Sequence, residues 1–360
     1  MSVKAITIPD ILRIDAQYMP LFRYALGSGI LMLLVATIGN GISYIVPMLA
    51  LSFLGPGSKM PSLKEGLGFV IVVIVSTITG FLFTKYFYEY KLFYILILGL
   101  SLFWIFYTDK LYFVAKLFLI ISLLAFPVPD YGLNTTIWAY ALTGTLIFGA
   151  IATILVVYVV FSIFPDPVND NSKQPDKSVS AGLSHEDRLK NAVITFFSTF
   201  PVIIAFIFFG WGDYLLVLIY IVVLTMIPVP GYKPGAVKFF GNIIGGAATL
   251  LFYWLLITVP NIFFFILLYT GTALLFAFRV FSGKPSAQYF KTGFSALTLI
   301  IGGAILSTDQ AGAEIGDRIF QVMLAVLYVV FVSVSVDAFS KYRLQKRKKI
   351  QKSQINKISG

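Results

Sequence analysis

At 360 residues and a formal net charge of +11, the chain is 58% hydrophobic and only 12% charged, with a mean hydropathy of +0.90. A water-soluble fold of that composition would leave too little polar surface to cover its core, so an integral membrane protein is expected. The absence of cysteine excludes disulfides and thiolate metal sites, and the single histidine, His185, falls in a polar segment that reads as solvated loop.

In chain order, the opening MSVKAITIPDILRIDAQYMP carries two acids ahead of any long apolar run, which does not fit a cleavable signal peptide. Apolar stretches near the roughly 20 residues needed to span a bilayer follow at 22–39, 41–54, 67–84, 92–108, 111–127 and 136–164. The segment PDPVNDNSKQPDKSVSAGLSHEDR, rich in Pro, Asp, Ser and Lys, reads as a linker. A second set of spans is predicted at 190–210, 212–228, 237–258, 261–280, 291–307 and 319–338. The expected architecture is all-α and polytopic, with about 12 transmembrane helices in two halves. Residues 1–164 make the first six-helix half, 165–187 the linker, 188–340 the second six-helix half and 341–360 a basic tail.

Orientation follows from the loop cations, which stay on the cytoplasmic side. The tail holds eight basic residues, from Lys341 to Lys357, and no acid. That sets the C-terminus inside and, with an even number of spans, the N-terminus and linker too. The loops then predicted inside hold Lys59, Lys64, Lys233, Lys238, Arg279, Lys284 and Lys291. Those predicted outside hold Asp130, Asp213, Asp309, Glu314, Asp317 and Arg318, with Lys85, Glu89 and Lys91 as a mildly basic exception.

The phrase PGSKMPSLK at 56–64 returns as PGYKPGAVK at 230–238, each time between the second and third spans of its half. Arg23 leads the first span of one half and Arg188 that of the other; Gly39-Asn40-Gly41 precedes Tyr44 as Gly210-Trp211-Gly212 precedes Tyr214. Because six spans return the chain to its starting side, the halves are expected to be parallel repeats about an axis along the membrane normal. The plainer account, that Pro, Gly and Lys simply make good cytoplasmic turns, stays open.

In its Arg-led first span, Gly-rich break, PG-x-K loop, Gly-punctuated third span and two six-helix halves around a connector, the chain resembles the fusaric acid resistance and aromatic acid exporter superfamily. The likeness is closest to short bacterial members of unassigned function. It implies a bacterial inner-membrane exporter of aromatic or other hydrophobic carboxylic acids, working with a periplasmic adaptor protein. The better-studied exporters carry a large cytoplasmic domain between the halves, where this chain has only about two dozen residues. The plant aluminium-activated malate channels look distantly related. A passive anion channel therefore stands beside a proton-coupled exporter, with a non-transporting scaffold subunit of an envelope complex as a third reading.

No G-x-x-x-x-G-K-[ST] loop, HExxH motif or Cys/His cluster occurs, so ATP hydrolysis within the chain, an enzyme, a cofactor and a metal are not expected. The expected partners are membrane lipid and a small organic anion, not nucleic acid, and a homo-oligomer stays open. A charge at bilayer depth costs a few kcal/mol unless paired or wetted, so the few intramembrane charges are the candidates. Arg23 and Arg188 suit either a cationic ring for an anion or cytoplasmic anchoring; Lys116 either lines a path or snorkels; Arg318 leads the last span from outside. Asp213, after Gly210-Trp211-Gly212, is the candidate proton-coupling carboxylate or else a helix N-terminal acid. Asp337, one turn from Lys341, is expected to pair with it. The in-span glycines Gly80, Gly245, Gly246, Gly302 and Gly303 favour close helix packing or mark broken helices.

Overall fold

Within an apolar run that has no water to bond its peptide groups, only a helix satisfies the backbone, and helices are what the chain forms. The computed structural model describes residues 18–38, 45–108, 113–125, 135–165, 185–209, 221 and 234–305. It also describes residues 320, 321, 323–325, 327, 328, 331 and 332 of the last predicted span. The elements are α1 (Met19–Ile38), α2 (Ile45–Leu54), α3 (Leu63–Phe87), α4 (Lys91–Tyr107), α5 (Phe113–Ala125), α6 (Thr135–Ile163) and α7 (His185–Phe209). After residues outside the description come α8 (Pro234–Thr258), α9 (Ile262–Val280) and α10 (Ala287–Ile305). No strand occurs among the described residues. Five segments, Met19–Thr37, Leu63–Phe87, Ala139–Ile163, Phe239–Thr258 and Ile262–Val280, are long and apolar enough to cross a membrane. The chain is a helical membrane protein. The predicted span at 212–228, apart from residue 221, lies outside the described residues.

Prolines sit where a helix tolerates them, in the first turns of α1 (Pro20) and α2 (Pro47) and at the first residue of α8 (Pro234). Pro201 is inside α7, where it cannot donate to the carbonyl of Phe197. Hydroxyls fold back on their own helix: Ser28 donates to the Tyr24 carbonyl at 2.8 Å, Ser122 to Phe118 at 2.7 Å and Thr249 to Gly245 at 2.8 Å.

The PG-x-K loop before α3 is built rather than slack. Gly57 takes φ +76°, and the Ser58 amide donates to the Gly55 carbonyl at 3.1 Å. Ser62 then caps α3 in a capping box: its backbone amide donates to Glu65 Oε2 at 2.8 Å, and its hydroxyl accepts from the Glu65 amide at 3.3 Å. Tyr158 of α6 donates to the Ser62 carbonyl at 3.0 Å and ties the loop to the bundle.

Buried side chains form two apolar cores. One gathers residues of α2 to α7 with Ile221, Ala325 and part of α10; the other gathers α1, α2, α6, α8, α9 and α10. Three helices serve both. Ile45 and Leu49 of α2 face the first core while Ala50 and Leu54 face the second; α6 divides Leu146 from Val157, and α10 divides Leu299 from Leu297.

The packing partners recur. The third helix of each predicted half lies on the fifth, α3 on α5 and α8 on α10, and glycines set the approach. A Cβ on Gly80 would strike Ser122, and one on Gly245 would strike the Gly293 carbonyl and Ala296. The first helix of each half instead leans on the fourth helix of the other: α1 on α9, and α7 on α4. Gly29 meets Thr270 there, and Gly99 meets the Phe200 ring. Tyr94, Leu98, Leu102 and Ile105 of α4 are buried, as are Tyr269, Ala273, Ala277 and Val280 of α9, each 175 residues later.

Candidate functional site

Side-chain contacts fix which helix ends lie together. Arg23 near the start of α1 covers Phe161 near the end of α6, and Ser62 at the start of α3 meets Tyr158 on that same stretch of α6. Phe69 of α3 packs edge-on against Phe118 of α5 at 6.2 Å, which brings in the start of α5. Tyr24 packs against Phe281 after α9 and Phe294 of α10, at 5.7 and 5.5 Å. Phe196 of α7 meets Phe103 late in α4, and Gly241 of α8 meets Thr292 of α10. Of the basic residues whose backbone is described, Arg23, Lys59, Lys64, Lys116, Arg188, Lys190, Lys238, Arg279, Lys284 and Lys291 therefore share one end. Only Lys85 and Lys91 sit at the other.

Most of these cations are at helix ends or in loops. Arg23 is different, being only 4% exposed. Its place in the second turn of α1, where that helix packs on α6, takes the guanidinium off the surface and sets it 4.1 Å above the Phe161 ring centre. A guanidinium is weakly hydrated and planar, so an aromatic face offsets part of its desolvation where an ammonium would fare worse. Beside it, Tyr24 is fully buried and its hydroxyl has no hydrogen-bond partner among the described residues. Thr77 and Thr153 hold buried hydroxyls of the same kind. A buried polar atom left unmatched costs about 1–3 kcal/mol, so the Arg23 and Tyr24 neighbourhood is a polar inset in an apolar bundle.

Lys116 is half-buried in the first turn of α5, ahead of Leu117 and Phe118 of the first core. Arg23 adjoins the second core, so the two share an end of the bundle but not a core. Arg188 stands in the first turn of α7; its side chain, and the whole of Asp213, Arg318 and Asp337, lie outside the described residues. Lys291, counted from sequence among loop cations, stands within α10. Its signal was present as spacing, for Lys116 and Lys291 are 175 residues apart, as are Tyr94 and Tyr269.

Those tyrosines explain why the spacing has structural meaning. Tyr94 is fully buried and donates to the Leu123 carbonyl at 2.9 Å; Tyr269 is fully buried and bonds the Thr298 hydroxyl at 2.8 Å. Each reaches the residue 29 positions further on, from the fourth helix of its half to the fifth. Set beside known proteins, the chain matches no family model, no curated protein and no solved structure.

Proposed function

We propose that this chain is a bacterial inner-membrane transporter of about twelve spans in two parallel six-helix repeats, exporting small organic carboxylate anions, aromatic ones included, by a proton-coupled route. The repeat is supported by the matched burial of α4 and α9 and by the reciprocal packing of α1 on α9 and α7 on α4. The concentration of cations at one end supports a cytoplasmic placement of that end. The likeness to the aromatic acid exporters agrees with this reading, and a periplasmic adaptor remains its proposed partner.

The observation that carries the transport reading is the buried guanidinium of Arg23 beside an unmatched tyrosine hydroxyl. A cation used only as a topology anchor has no reason to leave the interface, whereas one that receives an anion gains from a site that excludes water. Arg188, Lys116 and Arg318 are the further proposed substrate cations, and Asp213 the proposed coupling carboxylate. The repeat gives the arginines different depths. Tyr18 packs on Phe278 and Phe196 on Phe103, so helices α1 and α7 are matched at a spacing near 175. Position 198 then takes the place of 23, and Arg188 precedes it by about 10 residues, roughly 15 Å of helix.

The test is transport of benzoate in proteoliposomes carrying an imposed proton gradient. Arg23→Gln is expected to cut benzoate flux at least about tenfold, the factor that a loss of about 1.4 kcal/mol gives, while Arg23→Lys is milder. Uphill movement that an uncoupler abolishes marks the exporter, and downhill flux indifferent to it marks a channel. Asp213→Asn is expected to abolish uphill export and its response to external pH while sparing downhill exchange. Normal flux in Arg23→Gln, with wild type active, would end the assignment of Arg23 to the anion path.

A further inference from the structure

We propose that Lys116 and Lys291 are a matched pair of cations, one from each half, lining a single anion path at the basic end of the bundle. The pair rests on the transport reading and deepens it by naming the symmetric element of the path, which the arginines, set at different depths, do not supply. The match does not depend on the lysines themselves. The hydrogen bonds from Tyr94 to Leu123 and between Tyr269 and Thr298 put α5 and α10 in register at 175 residues, and Lys116 falls on Lys291 in that register.

Little else of these helices is shared. Across the thirteen positions of α5, only Lys116 with Lys291 and Leu124 with Leu299 are identical at that spacing. A charge inside a span is a costly residue to hold at both of two matched places when the apolar residues around it have drifted. Both helices also run beside the first core: Ile120, Ile121 and Leu123 of α5 share it with Ala296, Leu299 and Ile300 of α10. Each lysine precedes that shared core by one to two turns at the same end of the bundle. Lys116 is half-buried and Lys291 exposed, so neither is sealed away from an entering ion.

Two cations flanking one path feel each other's field, and a charged probe at either position reports the other. In the full-length, cysteine-free chain, Lys116→Cys and Lys291→Cys are each treated with anionic sulfonatoethyl and cationic trimethylammonioethyl methanethiosulfonates, from both faces of the membrane. The thiol at 116 is expected to prefer the anionic reagent, and adding Lys291→Gln should lower that preference about threefold or more, as a unit charge some 10 Å away would. The reciprocal double variant, Lys291→Cys with Lys116→Gln, should show the same fall. A preference unchanged by removing the other lysine, or thiols that react with neither reagent, overturns the pair. The wild-type benzoate assay separates the two ideas: coupled thiols without benzoate flux keep the paired crevice and discard carboxylate export, whereas flux with uncoupled thiols does the reverse.

Discussion

The α4–α5 corner and the α9–α10 corner solve one packing problem with different chemistry. In each, a fully buried tyrosine reaches across to the next helix; the first finds a backbone carbonyl at Leu123, the second a side-chain hydroxyl at Thr298. The reason lies four residues further along. The carbonyl of Leu123 would ordinarily accept from the amide of residue 127, but that residue is Pro127, which has no N–H. The carbonyl is therefore vacant, and Tyr94 fills it. In α10 the equivalent partner is Gly302, which has an amide, so the carbonyl of Thr298 is not in need and a hydroxyl takes the tyrosine's bond. Geometry has been kept where the bonding atoms have not.

The glycines that bring the third and fifth helices together are where the likeness of the halves is most easily destroyed. Gly245→Val drives a side chain into the Gly293 backbone and Ala296 and is expected to cost about 1–3 kcal/mol or abolish folded protein. Gly246, with nothing within 4 Å of its missing Cβ, should accept alanine with an effect under about 1 kcal/mol. The midpoint of thermal aggregation, read by size-exclusion chromatography, ranks the two. If Gly245→Val behaves like wild type, α8 does not sit on α10 as described.

The tyrosines separate the two corners more finely. Tyr94→Phe leaves the Leu123 carbonyl without a donor and should cost about 1–2 kcal/mol. Tyr269→Phe should cost less, about 0.5 kcal/mol, because the Thr298 hydroxyl can turn back to the Phe294 carbonyl of its own helix. Equal losses would refute the distinction. Smallest and most specific is the double variant: Pro127→Ala supplies the missing amide, so part of the Tyr94→Phe loss should return in that background, and the coupling between the two substitutions measures the share due to Pro127.

Much of this fold was legible in the sequence. The apolar runs at 67–84, 92–108, 136–164 and 261–280 locate α3, α4, α6 and α9 to within a few residues, because peptide groups in a bilayer leave little alternative to a helix. The repeat was legible only as repeated phrases, and these drift: Arg23 and Arg188 are 165 apart, Lys59 and Lys233 are 174 apart. The residues that set the register, Tyr94 and Tyr269, stand singly in apolar runs with no pattern around them, and a tyrosine there reads equally well as an interfacial residue. Lys291 was hidden differently, since a lysine just after a Pro/Gly/Ser turn looks like loop. The burial of Arg23 could not be read at all, because it depends on Phe161, which arrives 138 positions later.

The leaning of α1 on α9 has a consequence during synthesis. Residue 262, where α9 begins, is made 224 residues after α1 ends at Ile38, and at roughly 5–20 residues per second the interval is about 10–45 s. For that time Tyr24, Ser28 and the Gly29 face have no permanent neighbour, whereas α7 enters a membrane in which α4 already stands. The first helix is thus the last to be housed. Its safekeeping falls to whatever inserts the chain, and a slow or stalled second half exposes α1 to degradation before any defect in the finished bundle can matter.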